Sequence, residues 1–441
     1  MDLKGKKVAV LGAGSSGLAA AALALSHGAT VSAFDSGDTL RLSPAVERFA
    51  ELGVVLTCGD DALFPSSDYD VSVISPGIDE RWPIARAFSE ASNELIGEVE
   101  FAFRLSETPV VAITGTNGKT TTTSLVAQMI NSSGLKAVAA GNIGRAYSDV
   151  VASREELDWI VLEISSFQLE TIKTFSPEVA VWMNFAADHL DRYKSLEDYK
   201  QAKVRLFKNG GEGKQAICKF EDNVGSDWLR TTFSAFSEGG DFGYEEGIIY
   251  EKKAGRSFDF RKTELQGKHN AENVMVSLAV ADILGISWND IEESIENFRA
   301  PQHRCEKISE IDGVLYLNDS KSTNLHSLES AIAGQEAPLV LIVGGKQKGL
   351  DFSALAELVG ERAKAAICIG EIKEEIARSW SRRITCQIAE DLNEAVDIAA
   401  EIAESGDIVL FSPGTSSFDM FSGYEERGDA FRMAVQSLSF S

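Results

Sequence analysis

The sequence predicts an α/β protein of three domains, and three observations carry that expectation. At 441 residues the chain exceeds one ordinary core, since a domain commonly holds about 100–200 residues. Apolar strand-like runs alternate with helical patterns along its whole length, the grammar of βαβ units. The alternation restarts near residues 97 and 300, so the expected domains are 1–97, 98–300 and 301–441.

In the first cycle KKVAVLG, ATVSAFD and VSVISPG read as strands, with a helix through Leu18–His27. The second runs through VVAITG, AVAAG, WIVLEISS and VAVWMNF, each ending where Gly, Ser, Asn or Asp appears. Between Gln215 and Leu265 the texture turns polar and turn-rich, with short runs such as GIIYEKK, and a small antiparallel appendage is expected there. After Pro301 the third cycle comprises GVLYLND, PLVLIVGG, AAICIG and DIVLFSPG.

Composition narrows the class. Hydrophobic residues make up 44% of the chain, yet no apolar stretch reaches the ~18 residues a membrane helix needs. Without such a stretch a membrane is not an expected partner, and a formal charge of −25 repels a phosphate backbone, so nucleic acid is not expected either. The five cysteines (Cys58, Cys218, Cys305, Cys368, Cys386) share no C-x-x-C spacing, which fits reduced thiols packed in a cytoplasmic protein rather than bridges or zinc ligands. MDLKGKKVAV runs straight into a strand, and no signal peptide is expected.

Two phosphate-binding patterns stand in the chain. In VAVLGAGSSGLAAA, Gly12, Gly14 and Gly17 lie between a strand and a helix, and Asp35 closes the next strand at the spacing of a ribose-binding acid. Glycines let backbone approach a pyrophosphate, and the helix N-terminus supplies N–H donors and a positive dipole end. NAD(P), FAD, another diphosphate-linked ligand and a purely structural glycine turn all fit that pattern.

The second is Gly115-Thr116-Asn117-Gly118-Lys119-Thr120, two residues shorter than G-x-x-x-x-G-K-[ST] but with the same parts in register. Its amides can wrap phosphates, Lys119 can reach their oxygens, and the Thr120 hydroxyl can ligate magnesium. Glu163 ends a following apolar strand, where a phosphate-loop protein keeps a metal-facing acid or where a solvated glutamate would equally sit. NFAADHLDRY brings Asn184, Asp188, His189 and Asp191 to the same sheet edge.

In SLEDYKQAKVRLF, Tyr199, Lys203 and Phe207 recur at i, i+4 and i+8 and share one helix face. Lys203 either snorkels to water or is a desolvated amine of depressed pKa, reactive toward carbon dioxide. A carbamate there would turn a cation into a metal-binding anion.

The chain resembles the ATP-dependent Mur ligase family of peptidoglycan synthesis, over essentially its whole length. The resemblance rests on GTNGKTTT, GNIG (141–144), EISSFQLE (163–170), DHLDRY (188–193), AKVRLF (202–207), HNAENV (269–274), QHR (302–304), NDSKSTN (318–324), GGKQKGLDF (344–352) and SPGTSSFDMF (412–421). It implies three domains: a Rossmann-like UDP-substrate domain, a central P-loop ATPase domain on a mixed sheet, and a Rossmann-like amino-acid-binding domain.

The implied activity is amide ligation through an acyl phosphate. NDSKSTN with GGKQKGLDF looks like the branch that adds D-glutamate to UDP-N-acetylmuramoyl-L-alanine, and no Asn-Pro-Arg motif of the diaminopimelate- or lysine-adding branch is present. Lys346 stands where many members have an acid and Tyr424 where some have Phe.

The carry-over of residues follows the motifs. Ser15, Ser16 and Gly77 would meet the UDP-substrate, with Asn142 and His189 toward its muramoyl end. Gly115, Thr116, Asn117, Gly118, Lys119, Thr120 and Thr121, with Asn270, Asn273, Arg304 and Asp319, would frame ATP. Thr120, Glu163, His189 and a carbamylated Lys203 would hold two Mg2+ ions. Lys119, Asn142, Glu163, His189 and Lys203 are thus the expected catalytic set. Lys321, Thr323, Lys348 and Ser417 would receive the amino acid. A cytoplasmic monomer is expected.

The rival readings are a related ligase with another amino acid, a folylpolyglutamate-type ligase, an NAD-dependent oxidoreductase fused to an NTPase, and a silent nucleotide sensor. The GAGSSG unit argues against the folylpolyglutamate group, which lacks it.

Overall fold

The computed structural model describes residues 1–188, 192–225, 227–265, 267–299, 302–335 and 337–438. Three sheets organise them. The first has five parallel strands in the spatial order Leu56–Cys58, Thr30–Asp35, Lys7–Leu11, Val71–Ile74, Leu95–Gly97. The second has nine: Arg256–Asp259, Ile248–Glu251, Phe242–Glu245, Leu229–Ser234, Gln215–Lys219, Val179–Trp182, Val110–Thr114, Trp159–Glu163, Ala137–Gly141. The third has six: Glu306–Ile311, Val314–Asn318, Ile408–Phe411, Leu339–Gly344, Ala363–Ile369, Thr385–Ile388.

The unbroken apolar runs exist because these strands are covered on both faces. Along Lys7–Leu11, Val8 and Val10 enter one core while Ala9 and Leu11 enter another. Val110 and Ala112 likewise part from Val111 and Ile113, and Leu339, Leu341 and Val343 from Val340 and Ile342. A period of two on a sheet with helices on each side gives this division.

One core runs from the first sheet into the second, holding Val8, Val10, Phe101, Ala112 and Trp182 together. The short helix Glu98–Phe103 joins the two sheets, and its Glu100 is fully buried. Glu100 accepts from the amides of Lys173, Thr174 and Phe175 and pairs with Arg104 at 2.6 Å, bonds that hold its carboxyl below the ordinary range despite burial.

The stretch from Gln215 to Leu265 is no separate appendage. Gln215–Lys219 continues the central sheet parallel to Val179–Trp182, Leu229–Ser234 and then Phe242–Glu245 follow in parallel, and only the two pairings that Ile248–Glu251 makes, with Phe242–Glu245 and Arg256–Asp259, are antiparallel. Its polar texture reports exposure, as at Leu229 and Arg230, and exposure carries no information on strand direction. The edge strands Glu306–Ile311 and Thr385–Ile388 and the three-residue Leu56–Cys58 and Leu95–Gly97 lack an apolar run for the sequence to display. The first helix starts at Ser15, three residues before the expected Leu18. All five cysteines are free thiols, and among the described residues no helix is long and apolar enough to cross a membrane.

Candidate active site

Strand Val110–Thr114 lies between Val179–Trp182 and Trp159–Glu163, so the chain leaves it at the crevice where the strand order reverses. Two glycines make the loop that follows possible. Gly115 has φ +154, and a Cβ on it would lie 2.7 Å from Met183 Cβ; Gly118 has φ +81, and a Cβ there would lie 2.3 Å from Asn273 Oδ1. Asn184 holds the loop from below, accepting from the Asn117 amide at 2.9 Å through Oδ1 and from the Thr116 amide at 3.1 Å through its carbonyl. The helix Lys119–Ser132 then begins with no side-chain cap on its first amides, the arrangement that suits an anion.

Two amines converge on this loop. Lys119 Nζ donates to the carbonyls of Gly115 at 3.0 Å and Thr116 at 2.9 Å, while Lys203 Nζ donates to the same Gly115 carbonyl at 2.8 Å. Lys203 is only 2% exposed and lies 4.8 Å from the centre of the Tyr199 ring, so the face shared by Tyr199, Lys203 and Phe207 points inward. Burial, with Lys119 beside it, drives the Lys203 amine well below its usual range, and burial also lowers Lys119.

A hydrogen-bond chain crosses the front of the loop. Thr120 Oγ1 donates to Glu163 Oε2 at 2.7 Å, and Asn142 Nδ2 donates to Glu163 Oε1 at 2.8 Å. Gly141, at φ +98, places Asn142 there: a Cβ on it would lie 2.4 Å from the Glu163 carbonyl. From the third sheet's side, Arg304 Nη2 donates to Thr120 Oγ1 at 2.6 Å. Behind the loop, Thr122 Oγ1 donates to Asn273 Oδ1 at 3.3 Å and Asn273 Nδ2 to Asn270 Oδ1 at 3.0 Å. Thr121 is buried in the first helical turn.

The first sheet offers the other glycine turn. A Cβ on Gly17 would sit 1.9 Å from the Gly12 carbonyl, so the turn closes only with glycine there. Ser15 is exposed at the helix start and Ser16 half-buried, and Gly77 is exposed on the loop after Val71–Ile74. Asp35 turns to this loop itself, accepting from the amides of Ala13 and Gly37 at 2.8 Å each.

Comparison with known proteins decides the family. The Mur ligase middle domain matches residues 113–281 and the Mur ligase, glutamate ligase domain matches residues 303–414. The UDP-N-acetylmuramoylalanine–D-glutamate ligase of Geobacter metallireducens is 39% identical over 450 residues, covering 99% of this chain and 99% of that protein. The chain belongs to this family of Mur ligases. In fold it is similar to UDP-N-acetylmuramate-alanine ligase from Thermotoga maritima, with a TM-score of 0.63 at 20% identity over 98% of this chain and 99% of that one. It is likewise similar to a MurF ligase from Thermotoga maritima solved with ADP, with a TM-score of 0.62 at 18% identity over 99% and 96% of the two chains.

In this Mur ligase the third sheet's loops reach the phosphate loop directly. Lys348 Nζ lies 3.5 Å from the Thr323 carbonyl and 4.0 Å from Asp188, to which Asn324 Nδ2 also donates at 3.1 Å. Lys321 Nζ sits 3.6 Å over the Tyr424 ring, and burial lowers its pKa to about 8. Ser417 is buried, its carbonyl accepting from the amides of Met420 and Phe421. Asp319 is buried between Ser412 Oγ at 2.8 Å and the Cys305 amide at 3.2 Å, and burial raises its carboxyl to about 7.

Lys119, Thr120, Asn142, Glu163, Lys203 and Arg304 are therefore brought together around one loop, with Asn273 and Asn270 behind it. His189 lies outside the described residues. Ser15 and Ser16 belong to the other glycine turn and Gly77 to the loop after Val71–Ile74, which Arg192 ties to the helix Ser166–Glu170: its Nη1 donates to the Pro76 carbonyl at 3.3 Å and its Nη2 pairs with Glu170 at 2.6 Å. Sequence reading assigned no role to Arg192, which lies within DHLDRY, and missed His326 and Ser327, which follow NDSKSTN by a few residues.

The Thr120 hydroxyl and the Glu163 carboxylate are hard oxygen donors of the kind magnesium takes, so the residues present fit that ion. Among the described residues no group of three or more His, Cys, Asp and Glu forms a protein-only metal cage.

Proposed function

We propose that this Mur ligase joins D-glutamate to UDP-N-acetylmuramoyl-L-alanine at the expense of ATP, in cytoplasmic peptidoglycan precursor synthesis. The end-to-end likeness to the Geobacter ligase carries the reading. On this reading residues 1–97 take the UDP-substrate, 98–300 take ATP and 301–441 take the amino acid, and the enzyme is a monomer.

On this reading the substrate carboxylate takes the γ-phosphoryl group of ATP, and the amine attacks the acyl phosphate to give amide, ADP and phosphate. Gly115 to Thr121 wrap the phosphates with backbone amides, and Lys119, released from its carbonyl partners, follows the transferring phosphoryl oxygens. Arg304 adds a second positive charge at Thr120. Two magnesium ions, held by Thr120, Glu163, His189 and a carbamate on Lys203, would neutralise charge on the transferring group when bound. Asn142, fixed by Glu163, is placed to steady the acyl oxygens. Asn270, Asn273 and Asp319 frame the nucleotide.

Ser15, Ser16 and Gly77 hold the UDP end of the sugar nucleotide at a helix N-terminus. Lys321, Thr323, Lys348 and Ser417 receive the amino acid, the lysines matching its acidic side chain. Attack requires a deprotonated amine, and positioning beside the acyl phosphate supplies the remaining advantage.

Phosphate release should require ATP, UDP-N-acetylmuramoyl-L-alanine and D-glutamate together. L-glutamate, lysine and diaminopimelate, added in turn, should give none. Release with lysine or diaminopimelate alone reassigns the amino acid, and nicotinamide turnover would replace the reading altogether.

A further inference from the structure

The first turn of the helix Leu325–Ala333 grips the side chain of Asn117 at both ends. Ser327 Oγ donates to Asn117 Oδ1 at 2.7 Å, and Asn117 Nδ2 donates to His326 Nδ1 at 2.5 Å. An amide offers an acceptor on one side and donors on the other, so both kinds of bond are made at once. His326 must present a lone pair at Nδ1, which assigns its proton to Nε2. Its ring also meets that of His269, edge on, at 5.8 Å.

The backbone of Asn117 is held from the opposite direction. Asn184 Oδ1 accepts its amide at 2.9 Å and Asn184 Nδ2 donates to its carbonyl at 3.1 Å. The residue is thereby pinned below to the central sheet and above to the third domain's first helix. That helix is capped by Asn324, whose Oδ1 accepts from the Ser327 amide at 2.8 Å, and Thr323 directly precedes the cap.

We propose that His326 and Ser327 are positioning residues that latch the amino-acid loop at Thr323 onto the phosphate loop through the Asn117 amide. The proposal rests on the ligase reading and deepens it. Neither residue touches the reacting atoms; the latch sets the position of residues 321–323 relative to the phosphate loop, so its loss should weaken the amino acid's hold while the nucleotide's remains.

The test combines phosphate-release kinetics, binding of a non-hydrolysable ATP analogue and hydrogen exchange of residues 325–333 on the full chain. H326A and S327A should each raise the KM for D-glutamate about tenfold, the scale of one lost hydrogen bond to a fixed partner. Analogue affinity should stay within twofold. H326N, whose amide oxygen can accept from Asn117, should recover most of the loss. In a cycle of N117A, S327A and their double variant, the double should be no worse than N117A. Unchanged KM in both single variants, or losses that multiply in the double, would overturn the latch. A fall in melting temperature in H326A that H326N fails to restore would also overturn it, assigning the residue to packing. Should the wild type release no phosphate with any amino acid, the ligase reading fails separately. Exchange then decides the latch: N117A must speed exchange in 325–333, and unchanged exchange refutes it.

Discussion

The Lys203 amine donates to the Gly115 carbonyl at 2.8 Å, on the same oxygen that Lys119 approaches to 3.0 Å. Burial at 2% exposure, with a second amine on the same carbonyl and, among the described residues, no carboxylate hydrogen-bonded to Lys203, favours the neutral amine at that position. A neutral buried amine is the form that captures carbon dioxide. Lys203→Ala should therefore lower kcat by at least 10³-fold, on the order of 4 kcal/mol of barrier. Bicarbonate-free buffer should slow the wild type, and short-chain carboxylic acids should partly restore the variant. Full activity in Lys203→Ala would rule out the carbamate.

Glu163 accepts from both Thr120 and Asn142, so its charge and its geometry are separable. Glu163→Gln keeps the size and one acceptor while removing the negative charge. Its phosphate release should fall about 10²-fold or more and respond weakly to added magnesium, whereas analogue binding without metal should change little. A magnesium titration of both proteins reads the difference.

Gly118 combines φ +81 with only 2.3 Å between a built Cβ and Asn273 Oδ1. Gly118→Ala meets both the left-handed penalty and a displaced amide. Stability should drop by about 1–3 kcal/mol, and ATP-analogue affinity should fall with it. Thermal melting and calorimetry check the two effects independently. Gly134→Ala, where the added Cβ meets nothing within 4 Å at φ +88, isolates the conformational part.

Asp319 links pH to stability. Burial raises its carboxyl from 3.8 to about 7, so between those values the native chain keeps a proton that the unfolded chain has released. Each step upward in pH across that window therefore costs native stability, and above it the cost is constant. Asp319→Asn should flatten this part of the curve of melting temperature against pH. The same slope in variant and wild type would show that the carboxyl is ionised throughout.

Arg304 reaches Thr120 from 184 positions away in the chain. Arg304→Lys should retain nucleotide binding but lose about 10-fold or more in kcat, because a point charge cannot reproduce the guanidinium geometry on the hydroxyl. Equal losses in nucleotide affinity and kcat would mean that the arginine only binds the ground state.

Much of the site was legible locally. The two glycine turns, Glu163 at a strand end and the aromatic face carrying Lys203 all depend on spacings of a few residues, which strand and helix periods convert into positions. The texture of 215–265 misled because polarity marks exposure, and parallel and antiparallel strands can be equally exposed. His326 and Ser327 gave no signal because their partner, Asn117, is 209 and 210 residues away. Arg192 lies within DHLDRY, but its bond to the Pro76 carbonyl, 116 residues back, is not readable there.

By itself the sequence determined which segments alternate as strand and helix, where the backbone must be glycine, and which side chains share a helix face, because these follow from covalent geometry and short-range sterics. Only the tertiary structure decided that Lys203 and Lys119 share one carbonyl, that Arg304 and the helix Leu325–Ala333 close on the phosphate loop, and that burial pushes the Asp319 carboxyl upward. Those outcomes depend on how sheets stack and on which charges lose their water, and both are properties of the packed whole rather than of any stretch of chain.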